Sequence, residues 1–366
     1  MKTPKTLVAA IAAMASTAIM PLASQAGTNT DWRGGSGGTE AEPLEIYNKN
    51  NWSSGALPSA SYNLRFSVDA PTVLTNSAGI ATKIGDWVQF TSGDFTVLGD
   101  VQIAVLGWDQ PAGTATLVKK GDWLVTHEFT LGYTSGSHFT FTNAVGNLTR
   151  TSDSAPFDIA RAANTTVLVE NLSGDWTVAN TVNVGGGSGA YGEFRSKSGN
   201  HSFNKGLTIA GGGNATGIVD KTDGDWVVKG ASLYVGNSSG SNGAFYHRGG
   251  SLVLDTYGVV GNNASVANAC FEISGGEVRN TTGYIQVGNN GPGTLAVKSG
   301  GRFVRIGEAD SASLWLSMRV GPGTLNGEGC EVLLGGALGF HYYGNGNGTS
   351  AVNITDGGVL TCSRMW

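Results

Sequence analysis

The chain has 366 residues, 58 of them glycine, with only 13% charged residues and a formal net charge of −5. A mildly acidic surface excludes nucleic-acid binding through the phosphate backbone. Ample Val, Leu and Ile, with 9% aromatic residues, exclude a disordered chain despite the glycine.

Residues 1–26 read as a secretory signal peptide. Lys2 and Lys5 supply the positive start, Leu7 to Ala23 is apolar and Ala-rich, and Ser24-Gln25-Ala26 sets small residues at a cleavage site. Removing it leaves 20 Lys and Arg against 27 Asp and Glu, a net of −7. The expected location is outside the cell, secreted or associated with a bacterial outer membrane. No later run of about 18 apolar residues exists, so no transmembrane helix is expected in the mature chain.

Residues 27–75 are expected to form a lead-in and an N-terminal cap. They include the Gly34-Gly35-Ser36-Gly37-Gly38 run, the segment Asn51-Trp52-Ser53-Ser54-Gly55-Ala56-Leu57-Pro58, and the alternating stretch Tyr62 to Phe66. A solenoid leaves the edges of its first coil unpaired, so some structure must cover them.

Residues 76–366 form the repeat region. Gly174, Gly199, Gly224, Gly249, Gly275 and Gly300 follow one another at intervals of 25, 25, 25, 26 and 25 residues. A second anchor recurs after each, as in Val182-Asn183-Val184-Gly185 and Leu233-Tyr234-Val235-Gly236, and a third as in Gly192-Glu193-Phe194 and Gly243-Ala244-Phe245. Three short apolar alternations per unit, at a fixed period, predict an all-β chain folded as a right-handed parallel β-helix of about 25-residue coils. Earlier copies stand at Gly93-Asp94-Phe95, Gly121-Asp122-Trp123 and Gly146-Asn147-Leu148, with an out-of-phase copy at Gly85-Asp86-Trp87. Residues 155–164 allow one helical turn; helix signals are otherwise absent. Past Gly301 the rhythm loosens, and the solenoid is expected to be open or truncated at its C-terminal end.

The pattern Val-Gly, a Gly/Asn/Ser turn, one apolar residue and then Gly-Gly-x-Leu/Val recurs, as in Val235-Gly236 to Gly249-Gly250-Ser251-Leu252. It resembles the repeats of bacterial autotransporter-type passenger proteins, including the autotransporter-associated β-strand repeat. The opening around Asn51 to Pro58 is similar to the start of the repeat region in that family. The resemblance covers roughly residues 50–360, and its degenerate motifs specify architecture better than activity. It implies secretion, a right-handed β-helix and a role in surface adhesion or as a stalk. No outer-membrane barrel is encoded in this chain, which departs from the family pattern.

Two columns of residues bear on function. The residue after each anchor gives Asp94, Asp122, Asn147, Asp175, Asn200 and Asp225. Alternation of Asp with Asn from Asp122 onward suits a hydrogen-bonded ladder better than a calcium site, which needs six to eight converging oxygens. The next position gives Phe95, Trp123, Leu148, Trp176, His201 and Trp226, then Ser251, Glu277 and Arg302. Trp123, Trp176, His201 and Trp226 are either a packed core edge or a strip that stacks on sugar rings. Val178 and Val228 share the tryptophans' face and favour the inward reading. Cys270, Cys330 and Cys362 do not make a disulfide framework. No metal or cofactor site and no catalytic residues are predicted, although Arg248, Arg279 and Arg302 could approach Glu277. The expected function is a secreted or surface-exposed, non-catalytic, structural or adhesive β-helix, with extracellular glycans or proteins as partners. The alternative is a carbohydrate-active β-helix enzyme, a polysaccharide lyase or glycoside hydrolase, or a glycan-binding module.

Overall fold

The computed structural model describes residues 28–107, 114–306, 312–316, 322–340 and 349–365. The expected signal peptide, residues 1–26, lies outside the described residues. Among those described, the only helical element is a 3-10 turn at Lys49–Asn51, and the rest is strand and turn. No helix there is long and apolar enough to cross a membrane.

The chain is a parallel β-helix with three stacked faces. In one coil, Trp176–Val178 lies on face two, Val182–Val184 on face three and Tyr191–Ser196 on face one. Each strand pairs in parallel with its counterparts in the neighbouring coils. Trp176 opposes His201 and His201 opposes Trp226; Val182 opposes Leu207; Phe194 opposes Val219. The strands alternate because successive side chains point to opposite sides of a sheet. Inward positions carry Val, Leu, Ile, Phe and Trp and merge into one core along the solenoid. Burying each such side chain contributes on the order of 1.5–3 kcal/mol.

At the first described end, Trp32 and Trp52 form an antiparallel bridge and pack edge-on at 5.4 Å, with Trp52 also edge-on to Phe66 at 5.1 Å. The Trp52 indole N–H donates to the Ile46 carbonyl at 2.8 Å. The out-of-phase Gly85-Asp86-Trp87 copy belongs to a 16-residue strand, Lys83–Leu98, that turns a corner. Its first half pairs with Val101–Gly107, a strand that itself runs from face two to face three, and its second half pairs on face one with Thr114–Lys120.

Three sequence expectations are corrected. Phe95 lies opposite Leu117 on face one, so it is not a member of the aromatic column, and Val101 stands opposite Trp123 instead. Residues 155–164 make no helical turn, since Phe157–Ile159 is a strand on face three. After Gly224, the structural anchors are Gly250 and Gly276, one residue later than the periodicity placed them. Both have positive φ, +66° and +65°, like Gly224 at +85°. Each turn there holds one more glycine, and a one-residue shift reverses the side-chain faces. The column therefore continues as Leu252, Val278 and Phe303, all fully buried, while Ser251, Glu277 and Arg302 point outward.

The glycine column has a steric cause. A Cβ on Gly174, Gly199, Gly224, Gly250 or Gly276 would stand 2.1–2.2 Å from the carbonyl oxygen of the anchor one coil before. Only glycine fits both that approach and the left-handed φ.

Inside the same corner runs a buried polar column of Lys119, Asn143, Asn171, Ser196, Lys221 and His247. Its amides satisfy turn carbonyls: Asn143 Nδ2 donates to Gly146 O at 3.0 Å and Ser173 O at 2.8 Å, and Asn171 Nδ2 to Gly174 O at 3.2 Å and Ser198 O at 2.6 Å. The Lys119 ammonium does the same for Gly146 O at 3.1 Å and also donates to Asn143 Oδ1 at 2.7 Å.

Candidate functional site

Trp123, Trp176, His201 and Trp226 are 0–2% exposed. They stack within the core, with Trp176–His201 and His201–Trp226 centroids 5.6 and 4.7 Å apart. Their burial leaves no ring face for a sugar, so the solvent-facing reading of this strip is set aside. The His201 Nδ1 accepts the Trp176 backbone N–H at 3.2 Å, and its Nε2 lies 3.0 Å from Ser196 Oγ. Burial lowers its pKa to about 4, so the ring is neutral near pH 7.

The outward Asp and Asn residues form a ladder headed by Asp100 rather than Asp94. Asp122, Asn147, Asp175, Asn200 and Asp225 each donate a backbone N–H to the side-chain oxygen of the member before, at 2.7–3.0 Å. Ser251 Oγ donates to Asp225 Oδ1 at 2.6 Å. Among the described residues, no group of three or more His, Cys, Asp or Glu side chains could hold a metal ion. All three cysteines are free.

Several outward charges close on one another. Arg279 Nη2 lies 2.7 Å from Glu277 Oε1, and Arg302 bridges Glu277 and Glu331. Arg248 does not join them; it binds Asp220 with both Nε and Nη2, at 2.7 and 3.2 Å. Burial opposes ionisation of Glu277, but the hydrogen bonds from Arg279 and Arg302 outweigh it and hold the carboxyl below its usual range. Arg195 pairs with Glu193 at 2.6 Å, and Lys298 with Glu272 at 2.7 Å.

Face three carries two features that the repeat analysis did not single out. Near its start, Glu128 and Asp158 are 7% and 5% exposed and share Arg161, whose guanidinium lies 5.3 Å from the Tyr133 ring centre. Thr130 Oγ1 donates to Glu128 at 2.6 Å, and Asn183 Nδ2 to Asp158 at 2.7 Å. Burial raises the Asp158 pKa, against the lowering by Asn183 and Arg161.

Farther along lies a cleft of about 250 Å³, lined by Tyr234, Tyr257, Tyr284, Asn262, Gln286 and Asn289 with the neighbouring Ser232 and Val259. Tyr234, Val259, Gln286 and Trp315 occupy one outward register position in successive coils. Tyr257 and Tyr284 precede the inward residues Gly258 and Ile285 of those coils, and their rings meet edge-to-face at 4.8 Å. Tyr257 is 47% exposed. Its ring rests on Gly283, where an added Cβ would come within 2.8 Å of Cδ1. Tyr284 packs on Trp315, which is 6% exposed.

An amide chain borders the rings. Asn262 Nδ2 donates to Asn237 Oδ1 and Asn289 Nδ2 to Asn262 Oδ1, both at 2.8 Å. Asn289 is 7% exposed, and its Oδ1 finds no hydrogen-bond partner among the described residues. The signal for this cleft lay in the residue before each second anchor: Thr181, Gly206, Ser232, Tyr257 and Tyr284. No family model, curated protein or solved structure is significantly similar to this chain, so the reading of these sites rests on their own geometry.

Proposed function

We propose that the chain is a secreted or surface-exposed β-helix with a non-catalytic, structural and adhesive role. The observation that carries this is the engagement of five outward carboxylates in local ion pairs. Glu277, Glu331, Asp220, Glu193 and Glu272 each have an Arg or Lys partner. An acid or base must reach the proton it transfers, and carboxylates engaged in this way are poorly placed to do so. The signal-like residues 1–26 and the resemblance to autotransporter-type passengers support the location and the role. A stack of coils joined by continuous parallel ladders also suits a stiff spacer.

The test has two arms with the full-length chain. Incubation with neutral and acidic polysaccharides is expected to release no reducing ends and no unsaturated ends. Beads coated with the protein are expected to adhere to bacterial or host cell surfaces more than beads coated with an inert protein. Turnover of any polysaccharide would sink the non-catalytic half, and beads that do not adhere would sink the adhesive half.

Glu128 and Asp158 favour the carbohydrate-active reading more than any other pair. They are two carboxyls on one face, one with a raised pKa, beside aromatic side chains. If that reading holds, Glu128→Gln and Asp158→Asn each abolish the turnover that the first arm measures.

A further inference from the structure

We infer that the cleft bordered by Tyr257, Tyr284, Asn262 and Asn289 binds an uncharged pyranose unit of a polysaccharide. This rests on the adhesive reading above and names its ligand class and site. Three observations combine.

The first is the aromatic surface. Tyr257 leaves nearly half of its area in solvent although its ring is held from two sides, by Gly283 beneath and by Tyr284 at the edge. An exposed ring fixed in this way has little freedom left to lose on binding, which favours stacking against the C–H face of a sugar.

The second is the amide chain. Each Asn donates to the Asn one coil before, so the series ends in an acceptor, Asn289 Oδ1, that nothing among the described residues satisfies. An amide oxygen without a donor is costly; this one is buried, so a sugar hydroxyl would relieve it as the Asn289 side chain turns toward the cleft that it lines. Gln286, 9% exposed, is a second amide at the same site.

The third is charge. None of the eight residues lining the cleft is ionisable near neutral pH. The Arg305 guanidinium beneath this site is 8% exposed and is turned to the Gly283 carbonyl, to which its Nε donates at 2.8 Å. An acidic sugar would find no cation among the lining residues to meet its carboxylate, whereas rings and amides together match a neutral polyhydroxylated ring. The volume, about 250 Å³, is just below the roughly 300–1,000 Å³ of pockets that enclose drug-sized ligands. It suits one ring, with the rest of a chain lying across the open face.

The experiment is affinity electrophoresis of the full-length protein through gels containing a soluble glucan, mannan or galactan, with polygalacturonate as the acidic comparison. At least one neutral polysaccharide is expected to retard the protein, and polygalacturonate is not. Tyr257→Ala and Asn289→Leu are each expected to weaken that binding by about tenfold or more, equivalent to 1.4 kcal/mol. Tyr257→Phe keeps the ring and is expected to retain most of it. Tyr257 is exposed, so its variants should melt with the parent; the melt is recorded for all three.

Retardation by no neutral polysaccharide, or binding unchanged in both Tyr257→Ala and Asn289→Leu, overturns the inference. So does stronger retardation by polygalacturonate. The bead assay separates the two readings. Beads that adhere equally with parent and cleft variants leave the adhesive role standing and refute the cleft. A protein that binds a neutral polysaccharide through Tyr257 but does not make beads adhere upholds the cleft and refutes the adhesive role.

Discussion

His201 is the residue at which core packing and pH meet. Its ring lies between Trp176 and Trp226, and burial lowers its pKa from 6.5 to about 4. The backbone at Asn200 and the charge of Asp175 raise it, and Lys221 lowers it further. In the unfolded chain the imidazole takes up its proton near pH 6.5; in the folded chain it resists until about 4. Between those values the unfolded state holds more protons, so stability rises with pH there and is lost as pH falls. His247, lowered to about 3 mainly by burial, acts in the same direction. We expect denaturant midpoints to decline as pH falls below 6.5, before most carboxylates titrate, and to rise with pH above about 7, where the buried Lys119 and Lys221, lowered by burial to about 7 and about 8, give up their protons more readily folded than unfolded. His201→Phe, which keeps a ring in the stack, should show a shallower decline. An identical pH profile in parent and variant would remove His201 as the cause.

At the level of the turn, the anchor glycine decides where the next strand begins. Gly224 combines φ of +85° with a carbonyl oxygen 2.1 Å from where a Cβ would stand. Gly136 has φ of +78° but nothing within 4 Å of that point. Gly136→Ala therefore carries only the conformational cost, about 1–2 kcal/mol. Gly224→Ala must also push two coils apart and should lose clearly more, which a pair of denaturant melts would read directly. Equal losses would mean that the close approach between coils costs nothing. The same turn explains what the sequence made legible. The 25-residue rhythm, the three strands per coil and the Asp/Asn ladder from Asp122 onward could be read from spacing alone. In Gly249-Gly250 and Gly275-Gly276, however, only the backbone conformation tells which glycine is the anchor. Choosing the first moved Ser251, Glu277 and Arg302 into a column that Leu252, Val278 and Phe303 occupy. Tyr257 and Tyr284 escaped notice for a related reason, since they stand just before strands whose inward residues, Gly258 and Ile285, share no side-chain pattern.

Along the whole solenoid, each coil touches chiefly its two neighbours, so stability is close to a sum of coil and interface contributions. Removal of residues 175–199 deletes three complete strands and joins Gly174 to Asn200. On the outer ladder Asn147 would then meet Asn200, with no two aspartates adjacent. We expect this variant to keep a β-rich far-UV spectrum and one cooperative transition, with an m value reduced in proportion to the surface removed. Removal of about half a coil should instead abolish the transition, because later strands would land on the wrong faces. Loss of structure in both variants would refute this modular behaviour.

The Asp/Asn ladder also has a direction. From Asp100 to Asp225 the accepting oxygen always belongs to the earlier coil and the donating N–H to the later one. A coil that is already formed thus displays, on its outer corner, the group that the incoming coil must find. The molecule is in that sense its own template, copying its cross-section forward from one turn of chain to the next.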